Sequence, residues 1–168
     1  GIGLLAVGLL FKVGAVPFHS WVNDVYQGAP TAVTAFMSAC TKVAAFGALL
    51  RLFYVGFGAA RWDWTPMIAV IAVLTMTVGV VLALTQTDMK RLLAYSSISH
   101  AGFVLVGLVG VTAVTRVGDH RISSLQAVLF YLVAYGFLVI ASFAMVTVVR
   151  DGGGEASHLS RGSGLGKT

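Results

Sequence analysis

Two lysines and one histidine carry the chemistry this chain could perform, and the chemistry they suit is proton transfer. Lys12 follows an apolar opening, Gly1 to Phe11, and Lys42 lies among Ala39, Cys40, Val43, Ala44 and Ala45. His100 closes the hydroxyl-rich run Tyr95-Ser96-Ser97-Ile98-Ser99. A lysine at membrane depth costs roughly 3 kcal/mol on insertion scales and usually faces a bundle interior or a hydrated path. Neither lysine has an acid within its own apolar segment, so ion pairing inside the segment does not explain them. An amine taken out of water without a counter-charge gives up its proton more readily than a solvated one, which suits a relay. Two plainer readings stay open. Carboxylates elsewhere in a longer chain would neutralise both lysines structurally, and Lys12 near a helix end would snorkel to the headgroups. His100 exchanges protons near physiological pH through either ring nitrogen. It serves equally well as a hydrogen-bonding packing residue.

Such residues need elements that hold them in the membrane. Pro17 lacks a backbone donor and clashes with the preceding turn, and it pushes Val16 away from helical angles. With Gly14 alongside, a break is predicted at Gly14 and Pro17. Freed backbone groups at membrane depth survive only where protein or a hydrated cavity satisfies them, so Lys12 and the break are expected to share one polar pocket. Gly28-Ala29-Pro30-Thr31 reads as a turn and helix start, with Thr31 as cap.

Composition sets the environment. Fifty-eight per cent hydrophobic residues, ten per cent charged and a mean hydropathy of +0.91 fit a polytopic membrane protein. At about 20 residues per crossing the chain allows roughly five spans. An all-α fold of about five transmembrane helices is expected, the first broken: residues 1–16 with 17–30, then 32–54, 67–87, 91–112 and 124–150. Arg61 to Pro66 reads as an interfacial loop with Trp62 and Trp64 as a belt. A second loop carries Arg116, Asp119, His120 and Arg121. Tyr131 and Tyr135, one turn apart on the last span, share a face suited to packing or interhelical bonding.

Lysines and arginines favour a cytoplasmic side for the connecting segment 151–168 by five against four across the loops. The opening Gly-Ile-Gly-Leu-Leu has no initiator methionine and no signal-peptide layout, and reads as the interior of a longer chain. A formal charge of +5 is scattered over loops and spans with no basic face, which excludes nucleic-acid binding. Cys40 is alone, which leaves no intrachain disulfide and no cysteine metal cluster, and it reads as a small packing residue. HExxH, CxxC, Walker and GxGxxG patterns are all missing, so neither hydrolytic metal chemistry nor dinucleotide binding is expected.

The stretches FKVGAVPFHSWVNDVYQGAPTAVTAFMSACTKVAAFGALLRLF, LTQTDMKRLLAYSSISHAGFVLVGL and EASHLSRGSGLGK resemble the antiporter-like membrane subunits of respiratory complex I, the bacterial NADH-quinone oxidoreductase. The resemblance covers nearly the whole chain. It implies part of a fourteen-helix subunit with two inverted five-helix repeats, each containing a broken helix, and these residues resemble the seventh to eleventh helices. It also implies that Lys12, Lys42 and His100 carry protons, with no catalytic or metal-binding residue in this stretch. The chain would be a translocase subunit of the bacterial plasma membrane, without a redox centre of its own. Its partners would be the lipid bilayer and the other membrane subunits; quinone, NADH, FMN and iron–sulfur clusters would belong to the whole complex. The family commonly reads WTPD and APTPV where this chain has Trp21-Val22-Asn23-Asp24 and Ala29-Pro30-Thr31-Ala32-Val33, so the connecting segment is expected to be less rigid. The fifth-helix glutamate and the ionisable residue of the second broken helix lie outside these residues. The alternative is a subunit of a sodium/proton antiporter or membrane-bound hydrogenase complex, and a purely structural scaffold is a third reading.

Overall fold

The computed structural model describes residues 1–110, 114–117, 120–148, 150, 151, 154, 155 and 158. Residues 111 and 112 of the expected fourth span, Val149 of the fifth, Asp119, and most of the segment 151–168 lie outside the described residues. Among the described residues, four apolar helices are long enough to cross a membrane, and a shorter broken pair precedes them. The chain is therefore an all-α, multi-pass membrane fold.

Helix α1, Ile2–Val13, has only twelve residues and cannot span the roughly 30 Å hydrocarbon core unaided. It ends because Gly14 turns left-handed (φ 79°), with its N–H reaching Leu10 and Phe11 carbonyls while the Ala15 N–H returns to Leu10. Any Cβ at Gly14 would also meet Val22 Cγ2 at 2.6 Å. The chain then passes Pro17 and resumes as α2, Ser20–Gly28. Trp21 stitches the two halves: its ring stacks on Phe11 at 5.6 Å and its Nε1–H donates to the Phe11 carbonyl at 2.9 Å.

After Pro30 a continuous rod, Thr31–Gly56, contains α3 (Thr31–Phe36), a π-helical turn (Met37–Thr41), α4 (Lys42–Arg51) and a second π-helical turn (Leu52–Gly56). Pro30, rather than Thr31, occupies the cap position: its ring fixes φ, here −54°, and with ψ at 139° the residue has the non-helical backbone of a cap, while Thr31 is already helical. Thr34 Oγ1 donates back to the Pro30 carbonyl at 3.2 Å.

Helix α5, Arg61–Leu84, takes in Trp62 to Pro66, which the sequence reading placed in a loop. Packing explains the difference. Trp64 lies edge-on to Phe53 at 4.9 Å and to Tyr54 at 6.3 Å, and only 2 % of its surface is exposed. Pro66 falls in the second helical turn, and the burial of Trp64 outweighs its missing donor. Helix α6, Met89–Val109, starts at an Asp88 cap that accepts from Lys90 and Arg91 backbone N–H groups at 2.9 and 3.2 Å. Helix α7 runs over Ser124–Val148.

The expected loop around Arg116 and His120 instead contains two short antiparallel strands, β1 (Val114–Val117) and β2 (His120–Ser123), with Arg116 opposite Arg121. Valine, threonine and isoleucine in this stretch favour extended backbone. A second small ribbon pairs β3 (Arg150–Asp151) with β4 (Gly154–Glu155), and His158 makes a single bridge to Asp88.

One apolar core gathers Leu10 and Val13 of α1, Phe46 and Leu49 of α4, Phe53 of the second π-helical turn, Trp64 and Ile68 of α5, Leu105 and Leu108 of α6, and Leu132 of α7. A second, Val22, Tyr26, Ile98, Tyr135, Val139 and Phe143, joins α2, α6 and α7. Helices α5 and α6 approach most tightly, because Gly79 lies on the Ser99 backbone and Gly102 on the backbone of Ala72 and Met76. Small residues allow such close backbone contact. Phe130, Phe137 and Met145 on α7 and Val70, Val73 and Val81 on α5 face outward, as an apolar solvent requires.

Candidate functional site

Lys42 is the first residue after the π-helical turn Met37–Thr41, near the middle of its 26-residue rod. Such single-turn π segments frequently occur at functional sites. Only 4 % of Lys42 is exposed. Its Nζ donates to the carbonyl and to the hydroxyl of Ser97 on α6, and lies 5.5 Å from the centre of the Tyr135 ring on α7. No carboxylate among the described residues contacts it. The ammonium is thus held by neutral dipoles and one aromatic ring.

Three helices converge there for reasons visible in their sequences. Helix α6 presents Ser97 because Ala94, Ile98, Ala101 and Leu105 bury the adjoining face. Helix α7 presents Tyr135 and, one turn earlier, Tyr131, between the buried Val128, Leu132 and Val139. Tyr26 of α2 is buried beside Ser97 and packs edge-on against Phe143 at 6.0 Å.

His100, partly buried, shares a hydrogen bond between its Nδ1 and the Tyr131 hydroxyl at 2.5 Å. Its ring lies 4.9 Å from the Tyr135 ring and 6.0 Å from Phe103. On its open side, His100 borders a groove of about 560 Å³ lined by Ser96, Ser99, Gln86, Leu92 and Phe103. Lys42 and His100 therefore meet through Tyr135, which neither residue's own sequence surroundings indicated. The signal that could have found it was the Tyr131/Tyr135 pair at helical spacing.

Lys12 is placed differently. The last turn of α1 leaves its side chain exposed, and among the described residues it has neither a hydrogen bond nor an ion-pair partner. The expected pocket shared by Lys12 and the break is not formed: the Val16 N–H, freed by the break, donates instead to Thr75 Oγ1 of α5 at 3.1 Å. That threonine is fully buried, so the break is satisfied by a neighbouring helix rather than by the lysine. Lys12 lies two residues before the left-handed Gly14 and is exposed, while Leu10 and Val13 of the same helix are buried. Pro17 itself is exposed and Gly14 is buried against Val22.

At the membrane edge, Lys90 is buried and its Nζ reaches the Ala29 carbonyl at 3.5 Å, while Arg91 pairs with Asp24 at 3.7 Å. Both contacts tie α2 to the start of α6. Among the described residues, no three His, Cys, Asp or Glu side chains converge as a metal site would require.

Comparison with known proteins matches this arrangement to a family. The model of the family described as NADH:quinone oxidoreductase/Mrp antiporter, TM, matches residues 1–168. The chain is 65% identical to NADH-quinone oxidoreductase subunit N of Nocardioides sp. and 62% identical to that of Salinispora arenicola, in each case over 99% of this chain and 31% of the relative. It thus spans about a third of the length of these relatives. Among solved structures it is similar to a chain of respiratory complex I from Thermus thermophilus, with 40% identity and a TM-score of 0.68 over 85% of this chain and 29% of that one. It is also similar to a chain of the Mrp complex from Dietzia sp., with 26% identity and a TM-score of 0.72 over 84% of this chain and 24% of that one. By a family match that runs its entire length, the chain belongs to the NADH:quinone oxidoreductase/Mrp antiporter transmembrane family.

Proposed function

We propose that this chain is part of a proton-translocating membrane subunit of NADH-quinone oxidoreductase, and that Lys42 and His100 are consecutive proton carriers within it. The observation that supports this reading best is the buried ammonium of Lys42, held by Ser97 and Tyr135 with no carboxylate among the described residues. A buried lysine locked to an acid is a structural charge, and removing either partner is strongly destabilising. A lysine held by neutral groups keeps its partners satisfied whether or not it carries the proton, because the Ser97 hydroxyl can turn from acceptor to donor. Lys12, exposed at the end of α1, takes its place in the same relay only when another part of the longer subunit covers it. The relay operates in the bacterial plasma membrane beside other membrane subunits.

In this reading the redox chemistry, with NADH, FMN, iron–sulfur clusters and quinone, belongs to the other subunits. Cys40 is the single cysteine, too few for a four-cysteine iron–sulfur cluster, and the sequence has no glycine-rich dinucleotide loop. The chain's own work is to hold and release protons at Lys42 Nζ and His100 Nδ1. Coupling follows from charge: a proton arriving near Lys42 disfavours a second positive charge nearby, by an amount set by distance and local dielectric.

Proton pumping and NADH-quinone turnover in membranes carrying the full complex with Lys42→Ala test the proposal, after assembly is verified. Both are expected to fall by at least about tenfold, since removing a proton-transfer group from its path commonly costs more than that. Normal pumping and turnover would reduce Lys42 to a structural charge. A second reading, a sodium/proton antiporter subunit, is favoured by the 26% identity to the Mrp complex chain. Sodium transport driven by an imposed pH gradient without NADH oxidation, and abolished by a protonophore, would select it.

A further inference from the structure

Tyr135 is 7 % exposed at the middle of α7, and its phenol oxygen makes no well-formed hydrogen bond among the described residues, although Ser97 is near it. A buried phenol normally finds a partner. What Tyr135 does have is two basic neighbours on its ring: Lys42 Nζ at 5.5 Å and the His100 imidazole at 4.9 Å. The distance to the ammonium lies within the roughly 6 Å over which a ring face attracts a cation. Tyr131, on the same helix face, takes the hydrogen bond to His100, so the two tyrosines divide the work between ring and hydroxyl.

We propose that Tyr135 is a positioning residue whose ring face, rather than its hydroxyl, holds the positive charge at Lys42 and makes it sensitive to the charge on His100. The inference rests on the relay reading above. An aromatic quadrupole shared by two bases stabilises a cation on either one, and two cations around one ring repel each other. Repulsion between the two bases therefore favours a single positive charge in the pair, and the Tyr135 ring stabilises that charge on whichever base carries it, which is the condition for handing a proton on. The other titratable groups facing this position are Tyr26 from α2 and Tyr131 from α7. Both are phenols, and a carboxylate from α4 or α5 is absent among the described contacts.

The test keeps the shape of the ring and changes its electrostatics. In the full complex, Tyr135→Phe is compared with phenylalanines of increasing fluorination at the same site, and with Tyr135→Leu. Pumping is measured against pH, with Lys42→Ala alongside. Tyr135→Phe is expected to keep at least half of the pumping rate, and pumping above neutral pH is expected to fall about three- to tenfold across the fluorinated series, with recovery at lower pH. A flat fluorinated series means that only volume matters and overturns the inference, as does a Tyr135→Phe variant as impaired as Tyr135→Leu. If Tyr135→Leu does not assemble, the near-isosteric series still decides. If Lys42→Ala pumps normally, the relay reading itself fails; if it is inactive while the fluorinated series is flat, only the role of Tyr135 is lost.

Discussion

Replacing Gly79 by alanine tests whether the tight seam between α5 and α6 sets the geometry around Lys42. The new Cβ would stand 2.7 Å from Ser99 N, 2.9 Å from Ser99 Cα and 3.0 Å from Ser99 Cβ, where ordinary contact begins at 3.4 Å. Backbone atoms in the middle of a helix cannot rotate aside. The two helices must part by about 0.7 Å at this level, and overpacking of this kind typically costs about 1–3 kcal/mol. Ser99 is two residues from Ser97, so the displacement reaches the groups that hold Lys42 Nζ. The control is Gly47→Ala on α4, where an added Cβ meets nothing within 4 Å and alanine is the better helix former by up to about 1 kcal/mol. The assay has two parts: subunit retention in the purified complex on heating, and protons pumped per NADH oxidised. Gly79→Ala is expected to lower the retention temperature by several degrees and the pumping ratio with it, while Gly47→Ala leaves both unchanged. Equal behaviour of the two variants would refute the reasoning, because it would mean the seam yields without consequence.

Two further perturbations probe the supports of the site. Thr75→Val removes the acceptor for the Val16 N–H while nearly conserving volume, leaving a buried donor unpaired; a loss of about 1–3 kcal/mol is expected, read as reduced thermal retention of the subunit in the assembled complex. Asp88→Ala removes the side-chain cap of α6; a destabilisation of about 0.5–2 kcal/mol is expected as reduced thermal retention, with Asp88→Ser restoring most of it.

Some of this protein is legible along the chain, because some forces act locally. Apolar length and hydropathy mark the long helices, since a membrane demands about 20 apolar residues whatever the helix packs against. The depth of Lys42 follows from its distance along one rod with small apolar neighbours, and the Gly28-Ala29-Pro30 turn follows from backbone chemistry alone. Local chemistry also misleads where packing overrides it. Trp62 to Pro66 carries loop signals, yet the burial of Trp64 against Phe53 draws the segment into α5. Valine-rich residues beyond α6 pair as a ribbon that a search for apolar runs passes over.

Tertiary structure decided which residues meet. Tyr135 lies 93 positions from Lys42 in the sequence, and only the packing of α7 against α4 and α6 brings its ring to the ammonium. The exposure of Lys12 was equally invisible, because sequence depth says that a lysine is flanked by apolar residues and not which way the helix is turned. Thr75 reads as a packing residue until the break across the bundle presents a backbone donor to it. Periodicity and burial propensity are properties of one helix, readable from its own residues. A site shared by three helices depends on their rotation and spacing, which the sum of many weak contacts sets and no single segment encodes.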